Sequence, residues 1–162
     1  MAYKFLPHTG DVKFQAEGKT LEEAFSEASL ALKEAISGKI KIKEKIRKNI
    51  SMQAGDTESL LYNFLEEFLY LLDAEDFIPS NIKSISINCQ KSNNQLINKK
   101  TNNKANKVSP ISAEGTLNLT AIAIGDQASN YKFTNDVKAI TYNDMFIKKQ
   151  KDKFIVQAVL DV

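Results

Sequence analysis

Cysteine and histidine are almost missing from this chain of 162 residues: each occurs once, as Cys89 and His8. One cysteine excludes an internal disulfide and fits a reducing cytoplasm. One histidine, a cysteine with no evident base, and no Gly-rich loop of the Walker type all argue against a hydrolase or a phosphate-binding enzyme. An excess of charge of one sign is also lacking. The 22 basic and 20 acidic residues leave a formal net charge of +2, which gives no global reason for nucleic-acid or membrane-surface binding. No long hydrophobic run occurs either. The richest stretch, Leu60–Leu72, is interrupted by Asn63, Glu66 and Glu67, and it is shorter than the roughly 20 residues a membrane span needs. The start, Met1-Ala2-Tyr3-Lys4, has no apolar signal segment. These absences lead us to expect a soluble, cytoplasmic protein with no membrane partner.

What is present is enough for one well-packed domain, since 43% of the residues are hydrophobic. Tyr3–Leu6 and Val12–Ala16 read as two strands, the first ended by Pro7. Gly18-Lys19 turns the chain, and Thr20 with Glu23 forms a capping box for a helix. That helix repeats Leu21, Ala24, Phe25, Ala28, Ala31, Leu32, Ala35 and Ile36 at a period near 3.6 and stops at Gly38. Ile40–Ala54 alternates like a strand with one wet face. Asp56 or Thr57 caps a second helix whose apolar residues, Leu60 to Leu72, cover a wide arc, so it is expected at the centre of the core. Its acidic end, Asp73 to Asp76, opposes the helix dipole and reads as an exposed terminus.

Pro79-Ser80-Asn81 reads as a turn before a strand over Ile82–Cys89. From Gln90 to Lys107 the composition turns to lysine and asparagine without acids, which predicts a flexible loop. Its charge would allow a nucleic-acid tether, but a compositionally biased insertion fits it better. A strand around Leu117–Ile124 ends at Gly125-Asp126, and a loop runs through Asn135. Val137–Lys149 and Phe154–Leu160 form a hairpin across Gln150–Lys153. The inventory predicts an α+β single domain, with two helices packed against or between mostly antiparallel sheets.

The two ends of the chain carry the chemistry. His8-Thr9-Gly10-Asp11 is a polar loop between strands, and the last strand runs directly into Asp161 and Val162. If the fold joins the ends, Asp11, Asp161 and the Val162 carboxylate form an oxygen-only cluster. Such a cluster suits calcium or magnesium better than zinc. Taken singly, each residue also has an ordinary reading: a turn aspartate, a solvated terminal aspartate, a structural histidine.

The chain resembles the archease family. The resemblance rests on His8-Thr9-Gly10-Asp11, Thr20-Leu21-Glu22-Glu23-Ala24-Phe25, Leu65-Glu66-Glu67-Phe68-Leu69-Tyr70-Leu71-Leu72-Asp73, Val137-Lys138-Ala139-Ile140-Thr141-Tyr142 and the terminal Leu160-Asp161-Val162. It implies a non-catalytic activator of the GTP-dependent tRNA-splicing RNA ligase, which promotes guanylylation of the ligase and its repeated turnover. RNA is then met only indirectly. The resemblance also implies a divalent-cation site at Asp11, Asp161 and Val162, with calcium as the usual ion and magnesium or manganese as alternatives. Lys138 and His8 become candidates for partner activation. Position 10 is glycine where alanine is usual in the family, and Asn143 stands where many members have histidine. A general protein-binding or chaperone-like module is the alternative, and a metal-dependent hydrolase using His8 and Asp11 is a weaker one.

Overall fold

The computed structural model describes residues 2–90, 115–133 and 135–162. Among these residues, seven strands and two long helices follow one another as β1 (Ala2–Leu6), β2 (Val12–Gly18), α1 (Leu21–Ser37), β3 (Ile46–Ala54), α2 (Thr57–Glu75), β4 (Phe77–Gln90), β5 (Thr116–Gln127), β6 (Ala139–Gln150) and β7 (Lys153–Asp161). Two antiparallel sheets result, ordered β1-β2-β7-β6 and β3-β5-β4. Helix α1 packs on β2 and on β4, and α2 packs on β6, β3 and β4. Each helix thus touches both sheets and lies between them, the α+β arrangement expected from the sequence.

Local chemistry sets the helix ends. The Thr20 hydroxyl accepts the N–H of Glu23 at 3.1 Å, while the Glu23 carboxylate reaches back to the N–H of Lys19 at 2.8 Å. At α2, the Asp56 carboxylate accepts the N–H of Ser59 at 2.7 Å. The core between the layers is aromatic. Phe25 stacks on Phe64 with ring centroids 5.8 Å apart, and Phe64 meets Phe68 edge-on at 5.1 Å. Both Phe64 and Phe25 are fully buried, so truncating either to alanine should cost about 3–5 kcal/mol.

Several expectations are corrected. The third strand begins at Ile46, not Ile40. Residues 40–45 instead run irregularly under tertiary hydrogen bonds: the Lys43 N–H donates to the Tyr131 hydroxyl at 2.9 Å, and the Lys45 N–H to the Gly125 carbonyl at 2.7 Å. Ile42 is buried without belonging to a sheet. Pro79-Ser80-Asn81 is not a turn but an irregularity within β4, which begins at Phe77 directly after α2. Strand β5 continues through Gly125-Asp126 to Gln127.

The acidic end of α2 is partly explained. Asp76 caps the helix in a left-handed conformation (φ 53°), and its carboxylate accepts both the N–H and the hydroxyl of Ser129, at 2.9 and 2.6 Å. The Lys/Asn-rich tract expected to be a loop lies outside the described residues, apart from Gln90, which closes β4.

Candidate functional site

Two antiparallel pairings bring the chain ends together. Gly10 takes φ +78° in the loop between β1 and β2, a left-handed conformation that an L side chain resists. Asp11 follows, just ahead of β2. Val12 pairs with Leu160 of β7, so continuing that register by one residue sets Asp11 across from Asp161. On the other edge of β7, Asp161 pairs with Ala139 of β6. The backbone N–H of Lys138 donates to the Asp161 carbonyl at 2.8 Å. Asp11, Asp161 and Lys138 therefore sit at one end of three adjacent strands.

A cavity of about 710 Å3 opens at this end. Asp11, Lys138 and Val162 line it, together with Phe5, Glu34 and Asp136. Asp161 is exposed and is not part of the lining. Among the described residues, no three His, Cys, Asp or Glu side chains converge into a cation site by themselves. The acidic residues at this end all offer oxygen donors: Asp11, Glu34 and Asp136 line the cavity, and Asp161 lies beside it. A hard cation takes carboxylates, backbone carbonyls and water together, whereas zinc favours nitrogen and sulfur. Oxygen donors of this kind are those a hard divalent ion takes. Lys13 and Lys138 also line the cavity, and an ammonium group can meet a phosphate or a carboxylate.

His8 is not among the residues lining this cavity and lies between Asp11 and Asp144 of β6. Its Nδ1 lies 3.8 Å from Asp11 Oδ2, and its Nε2 lies 3.9 Å from Asp144 Oδ2. Nδ1 is buried without a hydrogen-bond partner. The Lys13 ammonium approaches the same Asp144 oxygen at 3.4 Å. Asp144 reaches this position because β6 bulges. From Thr141 to Phe146, β6 advances five residues while β7 steps back only from Val159 to Gln157. Asp144 sits in that bulge at φ 54°, and its carbonyl accepts the Gln157 side-chain amide at 2.8 Å. Gln157 is buried, and its own oxygen accepts Gln15 Nε2 at 2.8 Å. A polar chain thus runs from Gln15 through Gln157 to the bulge, and the bulge carboxylate closes on His8 and Lys13.

The sequence reading picked Asp11, Asp161, Val162, Lys138 and His8, and the fold gathers all five at one end of the sheet. Asp136, Lys13, Asp144 and Gln157 escaped it. The only hint in the sequence was that the residues from Val137 to Lys149 outnumber those of the returning strand from Phe154 to Leu160, which an overhang explains as well as a bulge.

Comparison with known proteins places the chain in a family. A model of the Archease protein family matches residues 3–162. The archease of Methanosarcina barkeri is 31% identical over 162 residues, covering 99% of this chain and 95% of the relative. The archease of Pyrococcus furiosus is 34% identical over 158 residues, with 96% and 94% covered. Among solved structures, protein 1598 of Methanobacterium thermoautotrophicum matches with a TM-score of 0.71 at 23% identity, over 99% of this chain and 98% of that one. A Thermotoga maritima protein described as an archease and possible chaperone matches at 0.54 and 18% identity, with 98% and 96% covered. At those identities the two structures speak for the fold alone. No helix among the described residues is long and apolar enough to cross a membrane. From the family model and the relatives, the chain belongs to the archease family.

Proposed function

We propose that this chain activates the tRNA-splicing RNA ligase without catalysing a reaction itself, promoting guanylylation of the ligase and its repeated turnover. The observation that carries the reading is the common end of the sheet where Asp11, Asp161 and Lys138 meet, with Asp11, Lys138 and Val162 on one cavity. Asp11, Asp161 and the Val162 carboxylate would hold a divalent cation there, calcium in our reading, with magnesium or manganese as alternatives. When bound, the cation supplies positive charge that offsets the mutual repulsion of the carboxylates.

The rest is done by the chain's own groups. The backbone bond from Lys138 to Asp161 fixes those two residues relative to each other whatever their side chains do. The Lys138 ammonium offers one charge-assisted contact to a phosphate of the ligase nucleotide or to a ligase carboxylate. Asp11 and Asp161 offer acceptors on the same rim. Nucleotidyl transfer builds negative charge on phosphate, so a partner that orders cationic and anionic groups beside it can accelerate the step by positioning.

Single-turnover guanylylation of the cognate ligase tests this. The intact chain should accelerate it, and Asp11→Ala should abolish the acceleration while leaving melting unchanged. Full acceleration by a folded Asp11→Ala variant would contradict the cation-cluster reading. A chaperone-like binding module is the second reading, and the exposed tyrosines Tyr70 and Tyr142 favour it. It predicts binding to many unfolded chains, indifferent to Asp11 and Asp161.

A further inference from the structure

The outward stripe of α2 is tyrosine-bearing and acidic. Helix α2 holds Glu58, Glu66, Glu67, Asp73 and Glu75 and no lysine or arginine, in a chain whose net charge is +2. Tyr62, Glu66, Tyr70 and Asp73 follow the i, i+4, i+8 and i+11 spacing of one helix face. Tyr62 stacks on Tyr142 of the β6 bulge, with ring centroids 4.3 Å apart and the planes 5° from parallel. Burial foremost, and then the negative charge of Glu66, raises the Tyr62 pKa. Despite the stack, Tyr142 is 54% exposed, and Tyr70 is 58% exposed.

Rings held this way lose little conformational freedom on binding, which is why tyrosine is favoured at the centres of protein interfaces. The two acids on this stripe, Glu66 and Asp73, set the sign of the partner, whereas Glu75 is already paired with Lys48 at 3.0 Å. The face is also continuous with the candidate site. Tyr142 stands two residues before Asp144, which contacts His8 and Lys13 beside Asp11.

We infer that the face formed by Tyr62, Glu66 and Tyr70 of α2 and Tyr142 of the β6 bulge docks a lysine- and arginine-bearing surface of the ligase. It rests on the activator reading above. Docking and activation then belong to different residues: the tyrosine–acid face sets how tightly the partner is held, and the end of the sheet with Asp11 and Lys138 sets what happens once it is held. Arginine is the matching group on the partner, because it can pair with a carboxylate and lie on an aromatic ring at once.

The experiment titrates the ligase with the full chain and with Glu66→Lys, Tyr142→Ala and Asp11→Ala, reading affinity by calorimetry and guanylylation in parallel. Glu66 and Tyr142 are exposed, and Glu66→Lys keeps the inference testable if Tyr142→Ala disturbs the stack. Each of the two face variants should weaken binding tenfold or more and shift half-maximal stimulation to higher concentration. Maximal stimulation at saturation should stay unchanged. Asp11→Ala should do the reverse, losing the maximum and keeping the affinity. Added salt should weaken the unmodified chain more than Glu66→Lys.

Folded face variants that bind and stimulate like the unmodified chain overturn the docking face and leave the activator reading standing. If they lose only binding to a denatured test polypeptide, the face serves a chaperone-like occupant and the inference is overturned. An unmodified chain that neither binds nor stimulates the ligase overturns both.

Discussion

The backbone N–H of Lys138 donates to the Asp161 carbonyl at 2.8 Å, tying the approach to β6 to the end of β7. The bond does not involve the Lys138 side chain. Lys138→Met should therefore leave stability within about 0.5 kcal/mol of the unmodified chain, as an exposed substitution does. Its effect should fall on stimulation of guanylylation, which is expected to drop tenfold or more. A Lys138→Met variant with full stimulation would remove the ammonium from the account.

Gln157 and the bulge offer a stability test. Its amide satisfies the Asp144 carbonyl, and its oxygen takes the Gln15 amide, both at 2.8 Å inside the sheet. Gln157→Leu keeps the volume and strands both partners, a loss of about 1–3 kcal/mol. For a chain of this size the melting temperature should fall by roughly 2–4 °C per kcal/mol. Loss of the anchor should also free the bulge, so amide exchange should rise at 142–145. Unchanged exchange there would mean that the bulge is held by other contacts.

Two glycines should respond differently to alanine. At Gly10 the backbone is left-handed, and a Cβ would meet nothing within 4 Å. Gly10→Ala should cost only the conformational strain, about 1 kcal/mol. At Gly125 a Cβ would overlap the Ile78 carbonyl and crowd Pro79. Gly125→Ala must push β4 away from β5, so it should cost more, about 1–3 kcal/mol or above. Thermal melts of the two variants side by side check the order.

Asp126 gives a pH test. It is buried and accepts the Tyr131 hydroxyl at 2.7 Å and the Gln127 N–H at 2.8 Å. Those bonds, that of Tyr131 foremost, hold its carboxyl below the usual carboxylate range. A lowered folded pKa stabilises fully above the ordinary range and loses that contribution as pH falls through the folded value. Tyr131→Phe removes the main cause. Its melting temperature should lie below that of the unmodified chain at neutral pH, and the gap should narrow on acidification. A gap that stayed constant from neutral to acid pH would contradict the assignment.

The helices were legible in the sequence because their signals are local. Thr20 and Asp56 cap them as the side-chain chemistry demands, and the 3.6-residue period needs no knowledge of neighbours. The start of β3 was misread because Ile40 and Ile42 alternate with lysine like a strand. What decides that segment is distant, namely the Tyr131 hydroxyl and the Gly125 carbonyl that take its N–H groups. Asp11 and Asp161 stood out because an aspartate in a tight loop and another beside the chain end suggest a shared oxygen site. Asp144 and Gln157 did not, because their meeting with His8 and Gln15 depends on cross-strand register and on a bulge. A period-two reading of β6 alone contains neither.

The most direct test of the cation-cluster account is multiple-turnover RNA ligation by the cognate ligase, with the intact chain and with Asp161→Ala. The account expects the intact chain to sustain repeated turnover. It expects the variant, folded and still bearing the Lys138 backbone bond, to lose that stimulation with calcium, magnesium or manganese present. Undiminished turnover with the folded Asp161→Ala chain would contradict it.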